Sequence, residues 1–149
     1  MSQSLAGKFK FAYKGGEVSA SRTWGTIQTS RVYIDNRDNG EFAKWEVVPT
    51  GNHSELYIRN VGVGDYSCGE PSPNARVIGK EEDKTAWCIE QSDGNSCRIR
   101  YPNRDLYWTA IPVRTQIPGR VAWEYLQIFL ETGDSTAAEQ RFELVRVEG

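Results

Sequence analysis

The chain carries one histidine, His53, and one methionine, Met1, in 149 residues. A His-dependent triad, a His-ligated zinc site or a histidine general base would have to use His53 alone. That residue lies in the turn-rich run Thr50-Gly51-Asn52-His53-Ser54, so chemistry built on imidazole is disfavoured. Neither charge sign dominates: 18 Lys+Arg face 20 Asp+Glu, a formal net charge of -2. The basic footprint of a nucleic-acid binder is missing, and no nucleic-acid partner is expected. Cys68, Cys88 and Cys97 cannot all pair within one chain and match no CxxC spacing. Alternation turns Trp87 and Ile89 inward, hence Cys88 outward, while Cys97 shares the inward face with Ile99. Opposite faces argue against a disulfide, and a reducing compartment fits. No apolar run reaches the length of a membrane helix and residues 1–7 form no apolar leader, so a cytoplasmic protein without a membrane partner is expected. The sequon Asn52-His53-Ser54 is accordingly expected to stay unmodified.

What the chain does have is five Trp, seven Tyr, five Phe and 14 Gly, spread from end to end. The length suits one domain, 1–149. Short runs of period-two alternation recur at residues 8–13, 17–22, 31–34, 44–48, 55–61, 76–79, 86–90, 97–101, 106–110, 126–130 and 141–147. Gly, Asn, Asp, Pro and Ser clusters separate them, and no long window holds a helical period. An all-β domain of about a dozen short strands follows. A repeat chooses its architecture: Lys44-Trp45-Glu46-Val47, Ala86-Trp87-Cys88-Ile89 and Arg141-Phe142-Glu143-Leu144 each place an outward residue between a large aromatic and an aliphatic. The first two lead through a Gly-Asn turn into a returning strand, and the third is answered by the N-terminal Gly7-Lys8-Phe9-Lys10-Phe11. Three copies closed by the first strand meeting the last describe a β-trefoil, with repeats near 7–61, 62–111 and 112–149 and with Trp45, Trp87 and Phe142 near its pseudo-threefold axis.

With these features the sequence resembles the fungal β-trefoil protease inhibitors, the mycocypins (clitocypin and macrocypin) and the related cocaprins. The likeness runs thinly over the whole chain and is sharper at Lys14-Gly15-Gly16-Glu17, which resembles the loop mycocypins present to papain-like cysteine proteases. It implies a reversible, non-covalent inhibitor of papain-like proteases, with pepsin-like proteases as a further target class. Glycines without a Cβ let a backbone approach a nucleophile in a narrow cleft, and a simple hairpin turn explains the same pair equally well. A second blocking loop is expected from 35–42, with Asn36, Arg37, Asp38 and Asn39 as contacts; its plainer alternative is a solvated acidic turn. Trp24 and Gly25 lie in a loop that either anchors an interface or plugs the barrel. At Asn60-Val61-Gly62-Val63-Gly64, where the family acts on legumain-like or trypsin-like proteases, only Arg59 and Asn60 are available. A homodimer is also compatible with the resemblance.

The competing expectation is a fungal β-trefoil lectin. The Gln-x-aromatic of ricin-type lectins survives only at Gln140-Arg141-Phe142, with Ala43 and Thr85 in the other copies. An alternative glycan patch is Asn103, Asp105, Tyr107 and Trp108, the rings stacking and the polar groups hydrogen-bonding hydroxyls; two strands joined by a turn account for the same residues. Trp123 and Tyr125 fall in an expected irregular connection over 112–124. No catalytic constellation, metal site or cofactor motif stands out.

Overall fold

The computed structural model describes residues 5–22, 29–52, 54–92, 94–115 and 123–147. The strands are β1 (Gly7–Tyr13), β2 (Gly16–Ser21), β3 (Thr29–Asp35), β4 (Trp45–Pro49), β5 (Leu56–Asn60), β6 (Tyr66–Cys68), β7 (Ile78–Lys80), β8 (Cys88–Gln91), β9 (Ser96–Arg100), β10 (Leu106–Thr115), β11 (Trp123–Thr132) and β12 (Phe142–Arg146). Two 3-10 turns, Gly40–Ala43 and Ala138–Gln140, precede β4 and β12. Eleven alternating runs are legible in the sequence; the one strand they miss is β6, whose three residues Tyr66-Ser67-Cys68 show no apolar–polar–apolar alternation of burial.

Period two builds the strands. In β1 it buries Phe9, Phe11 and Tyr13 and leaves Lys8 and Lys10 on the other face. Strands β1, β4, β5, β8, β9 and β12 pair in a closed ring. Its β5–β8 contact is the Leu56–Trp87 bridge, with N–H···O distances of 2.8 and 2.7 Å. The remaining strands form the hairpins β2–β3, β6–β7 and β10–β11. These hairpins pair with one another through β3–β7, β3–β11 and the Arg76–Phe129 bridge. A barrel joined to a triangle of hairpins is a β-trefoil, and it leaves few free sheet edges. By pairing, the four-strand unit recurs as β1–β4, β5–β8 and β9–β12.

The three repeat aromatics lie in the core: Trp45, Trp87 and Phe142 are 1%, 0% and 2% exposed. Trp45 Nε1 donates to Val18 O at 2.8 Å, and Trp87 Nε1 donates to Ser67 O at 3.2 Å and to its Oγ at 2.9 Å. The cross-strand pairs Ala12–Glu17, Arg59–Tyr66 and Arg100–Tyr107 make Trp108 the counterpart of Val18 and Ser67. The third repeat therefore carries its indole on β10 and a smaller ring on β12. Trp108 meets Phe11, Trp45 and Trp87 edge-on at 6.0, 6.4 and 5.4 Å, which makes it the hub of the core.

Two expectations need correcting here. Cys88 does lie on the face opposite Cys97, but it is buried there, where its cross-strand partner Arg100 pairs with Glu90 at 2.9 Å on the same face. All three thiols are free and buried, and burial pushes Cys97 up to about 12 and Cys68 up to about 11. The segment 112–124 is not irregular throughout: β10 and β11 pair in one register from Leu106–Thr132 to Thr115–Trp123. Pro112 is exposed and the recorded β9 pairing of β10 is confined to Tyr107, so a missing N–H is tolerated there.

Candidate functional site: the cleft beside Phe42

The 3-10 turn Gly40–Ala43 buries Ala43 completely and leaves the preceding Phe42 45% exposed. The ring's backbone is pinned against the β5–β6 turn. Phe42 N donates to Asn39 O at 3.1 Å, and Phe42 O accepts from Asn60 Nδ2 at 2.9 Å. On either side Gly62 N donates to Glu41 O at 3.0 Å and Val61 N to Lys44 O at 2.9 Å. Gly62 is required for this contact, since a Cβ there would stand 2.6 Å from Phe42 Cδ1 and 2.9 Å from Phe42 N. A large apolar ring is thus held at the surface by a fixed backbone.

Beside it opens a cleft of about 1080 Å³, bounded by the β5–β6 turn, Arg22, Tyr33 and Glu81. Arg22 Nη2 donates to Asp65 Oδ1 at 2.5 Å, and this hydrogen bond first, then the charge of Asp65, raises the guanidinium pKa. Asp65 is 1% exposed, and its Oδ2 has no hydrogen-bond partner among the described residues. Arg59 Nε donates to Gly64 O at 3.0 Å and its guanidinium lies 5.9 Å from the Tyr66 ring centre. On the opposite wall Tyr33 Oη donates to Asp35 Oδ2 at 3.2 Å and accepts from Asn39 Nδ2 at 3.3 Å. Burial pushes the Tyr33 hydroxyl pKa up. Burial also pushes up on Asp35, but its hydrogen bonds from Arg37 and Tyr33 outweigh this and hold the carboxyl below its ordinary value. The cleft therefore joins one exposed ring to a wall of oriented donors and acceptors, the composition of a site for a small polar ligand with an apolar face.

The proposed protease-contact residues separate into distinct environments. Lys14 (φ 45°) and Gly15 (φ 82°) are the two central residues of a tight hairpin turn closed by the Tyr13–Gly16 pair. Both are exposed, and a Cβ on Gly15 would meet nothing within 4 Å. Gly16 is buried in β2, where a Cβ would lie 2.6 Å from Ile34 Cγ2 and 3.1 Å from Asp35 O. The glycine pair thus has a structural cause. Glu17 pairs with Lys10 at 3.3 Å. The structure does bring this turn beside Asn36 and Arg37, around a groove of about 420 Å³. Asp38 caps Gly40 N at 3.1 Å, and Asn39 faces the Phe42 cleft instead. Trp24 and Gly25 lie outside the described residues, as does His53.

Asn60 is fully buried and accepts from Val63 N at 2.9 Å while donating to Phe42 O, so its side chain cannot enter a protease pocket. The expected glycan patch is also corrected. Asn103 and Asp105 are exposed, but Tyr107 is 7% and Trp108 0% exposed, leaving no free ring face for a sugar. Arg98 covers the Tyr107 ring at 3.9 Å and Trp108 is drawn into the core. Gln140, the surviving glutamine of the Gln-x-aromatic pattern, is 2% exposed and serves as internal bracing. The sequence expectation includes Phe42 only as the last residue of the 35–42 loop. Its signal was an aromatic set between a polar run and the small Ala43, outside any strand alternation.

No protein-family model matches the sequence, and no curated protein matches it. Solved structures do. The Macrolepiota procera ricin B-like lectin, determined in complex with lactose, is 17% identical with a TM-score of 0.69, covering 99% of this chain and 100% of that one. The Rhizoctonia solani agglutinin is 12% identical with a TM-score of 0.75, covering 99% of each chain. ThreeFoil, a designed threefold-symmetric protein, is 11% identical with a TM-score of 0.74, covering 94% of this chain and 99% of that one. The shared property is the fold. Among the described residues no group of three or more His, Cys, Asp or Glu could hold a metal ion, and no helix is long and apolar enough to cross a membrane.

Proposed function

We propose that the chain is a glycan-binding module and that its site is the Phe42 cleft. The observation that carries this is the exposed Phe42 ring on a hydrogen-bonded, glycine-packed backbone beside a polar cleft. A sugar ring has an apolar C–H face that stacks on an aromatic and hydroxyls that need directed partners. Phe42 supplies the first, and Arg22, Arg59 and Asn39 line the cleft as the second. The lectins among the structural neighbours support the same class. A glycan array followed by titration calorimetry tests it. Phe42→Ala is expected to weaken the best array ligand about tenfold, since half-burying a ring contributes roughly 1.4 kcal/mol. Unchanged affinity in a folded variant sinks the site.

A protease-directed reading keeps one observation in its favour: Lys14 and Gly16 of the hairpin turn share a groove with Asn36 and Arg37, as two blocking loops would. Papain titration separates the readings. Inhibition lost on Gly15→Trp, with the fold intact by thermal melt, would favour it, because a Cβ at Gly15 meets nothing within 4 Å and the cost to the fold is confined to its positive φ.

A further inference from the structure

The Phe42 cleft does not end at its far wall. The groove of about 420 Å³ on the other side of that wall is lined by Lys14, Asn36, Glu124 and Tyr125, and it shares Tyr33 and Arg37 with the cleft. Each space falls at or near the volume range of a small-molecule site, roughly 300–1,000 Å³. The partition between them is rigid. Tyr33 is hydrogen-bonded to Asp35 and Asn39, and Arg37 grips Asp35 with Nε at 3.2 Å and Nη2 at 3.3 Å. That grip uses one edge of the guanidinium fork. Arg37 Nη1 has no protein partner among the described residues, and the side chain is 78% exposed. A pinned, exposed donor therefore stands where the two spaces meet.

The second groove repeats the chemistry of the first. Tyr125 is half-buried, its ring braced edge-on by Tyr33 at 6.5 Å with the Arg31 guanidinium 5.5 Å from its centre, and Asn36 is an exposed amide. Its charges cancel: Lys14 and Arg37 face Asp35 and Glu124, with Asp35 gripped by Arg37 and Glu124 3.7 Å from Arg114. The lining as a whole therefore carries no net formal charge to select an ionic ligand.

We propose that this groove is a second subsite, continuous with the Phe42 cleft across Arg37, and that the ligand is an uncharged oligosaccharide of at least two units. This rests on the glycan reading of the Phe42 cleft. One unit stacks on Phe42, Arg37 Nη1 donates to an oxygen near the glycosidic link, and the next unit lies against Tyr125 and Asn36.

Asn36 lines the groove and not the cleft, so Asn36→Trp fills the second subsite and leaves the first intact. The best neutral array hit and its terminal monosaccharide are titrated against wild type, Asn36→Trp and Phe42→Ala, with thermal midpoints as the fold control. The oligosaccharide is expected to bind wild type at least tenfold more tightly than the monosaccharide. Asn36→Trp should remove that advantage and change monosaccharide affinity less than twofold, whereas Phe42→Ala should weaken both. Equal affinity for the two sugars, or an oligosaccharide advantage that survives Asn36→Trp, overturns the second subsite while Phe42-dependent binding keeps the first. Preference for acidic glycans overturns the uncharged class. Failure of every sugar to bind overturns the glycan reading itself, and the second subsite with it.

Discussion

At the 3-10 turn of the first repeat the chain exposes Phe42 and buries Ala43, whereas at the matching turn of the third repeat it exposes Glu139 and buries Gln140. Facing the first turn is the β5–β6 connection, braced by Asn60; facing the second is the two-residue turn Lys14-Gly15, around a smaller cleft of about 570 Å³. The two sites share a backbone plan and differ in what fills it. Gln140 Nε2 donates to Thr132 O at 2.9 Å and Thr109 Oγ1 at 3.3 Å, while its Oε1 accepts from Asp134 N at 2.9 Å and Arg98 Nη2 at 3.2 Å. Those polar groups are satisfied internally and are not offered to a ligand. Ala43 has no such reach, so around it the binding capacity stays on the surface. One scaffold thus yields a braced repeat and an open one through a few side chains.

The sharpest way to break this contrast is through the hub. Trp108→Ala is expected to lower unfolding free energy by about 3–5 kcal/mol in urea titration. A loss below about 1 kcal/mol would show that the third repeat does not organise the core. Next comes Gln140→Ala, which strips partners from Asp134 N, Thr132 O and Arg98 at once and should destabilise by about 2–3 kcal/mol. Sugar binding at the Phe42 cleft should be unaffected at a temperature where the variant remains folded, so a matching loss of affinity would contradict the independence of the two sites.

Glycines sharpen the comparison further. Gly62→Ala drives a Cβ into Phe42 and should cost about 1–3 kcal/mol together with glycan affinity. Gly15→Ala, in the counterpart turn, meets open space and should cost only about 1 kcal/mol from its positive φ. Equal effects in thermal melts would refute the difference in packing. The smallest effect is acidic. Asp35 has a folded pKa below its ordinary 3.8, so its stabilisation is fully present above that value and is lost as pH falls through the depressed folded pKa. Asp35→Asn should flatten the stability profile below about pH 4 and leave its slope near pH 7 unchanged.

Residue by residue, the fold was more legible than the site. Trp45, Trp87 and Phe142 were readable as core because each begins an alternating run at the same place in a repeat. Trp108 was misjudged, although alternation over Leu106, Trp108 and Ala110 puts them on one face; the period does not say which face is inside. The Gly15-Gly16 pair was visible, but its division into a free turn residue and a packed strand residue depends on Ile34 and Asp35 across the sheet. Phe42 gave almost no signal, since its exposure follows from Gly62 and Asn60, some twenty positions away in the chain.

Strand periodicity, turn chemistry and a threefold aromatic repeat were determined by the sequence alone, because each strand, turn and copy of the repeat is written in a run of a few residues. The tertiary structure decided which aromatic became the hub, which turn exposed a ring, and that the cleft and the groove meet at Arg37. Those outcomes depend on contacts between strands far apart in the chain, where a single Cβ or an internal hydrogen-bond partner selects what faces water.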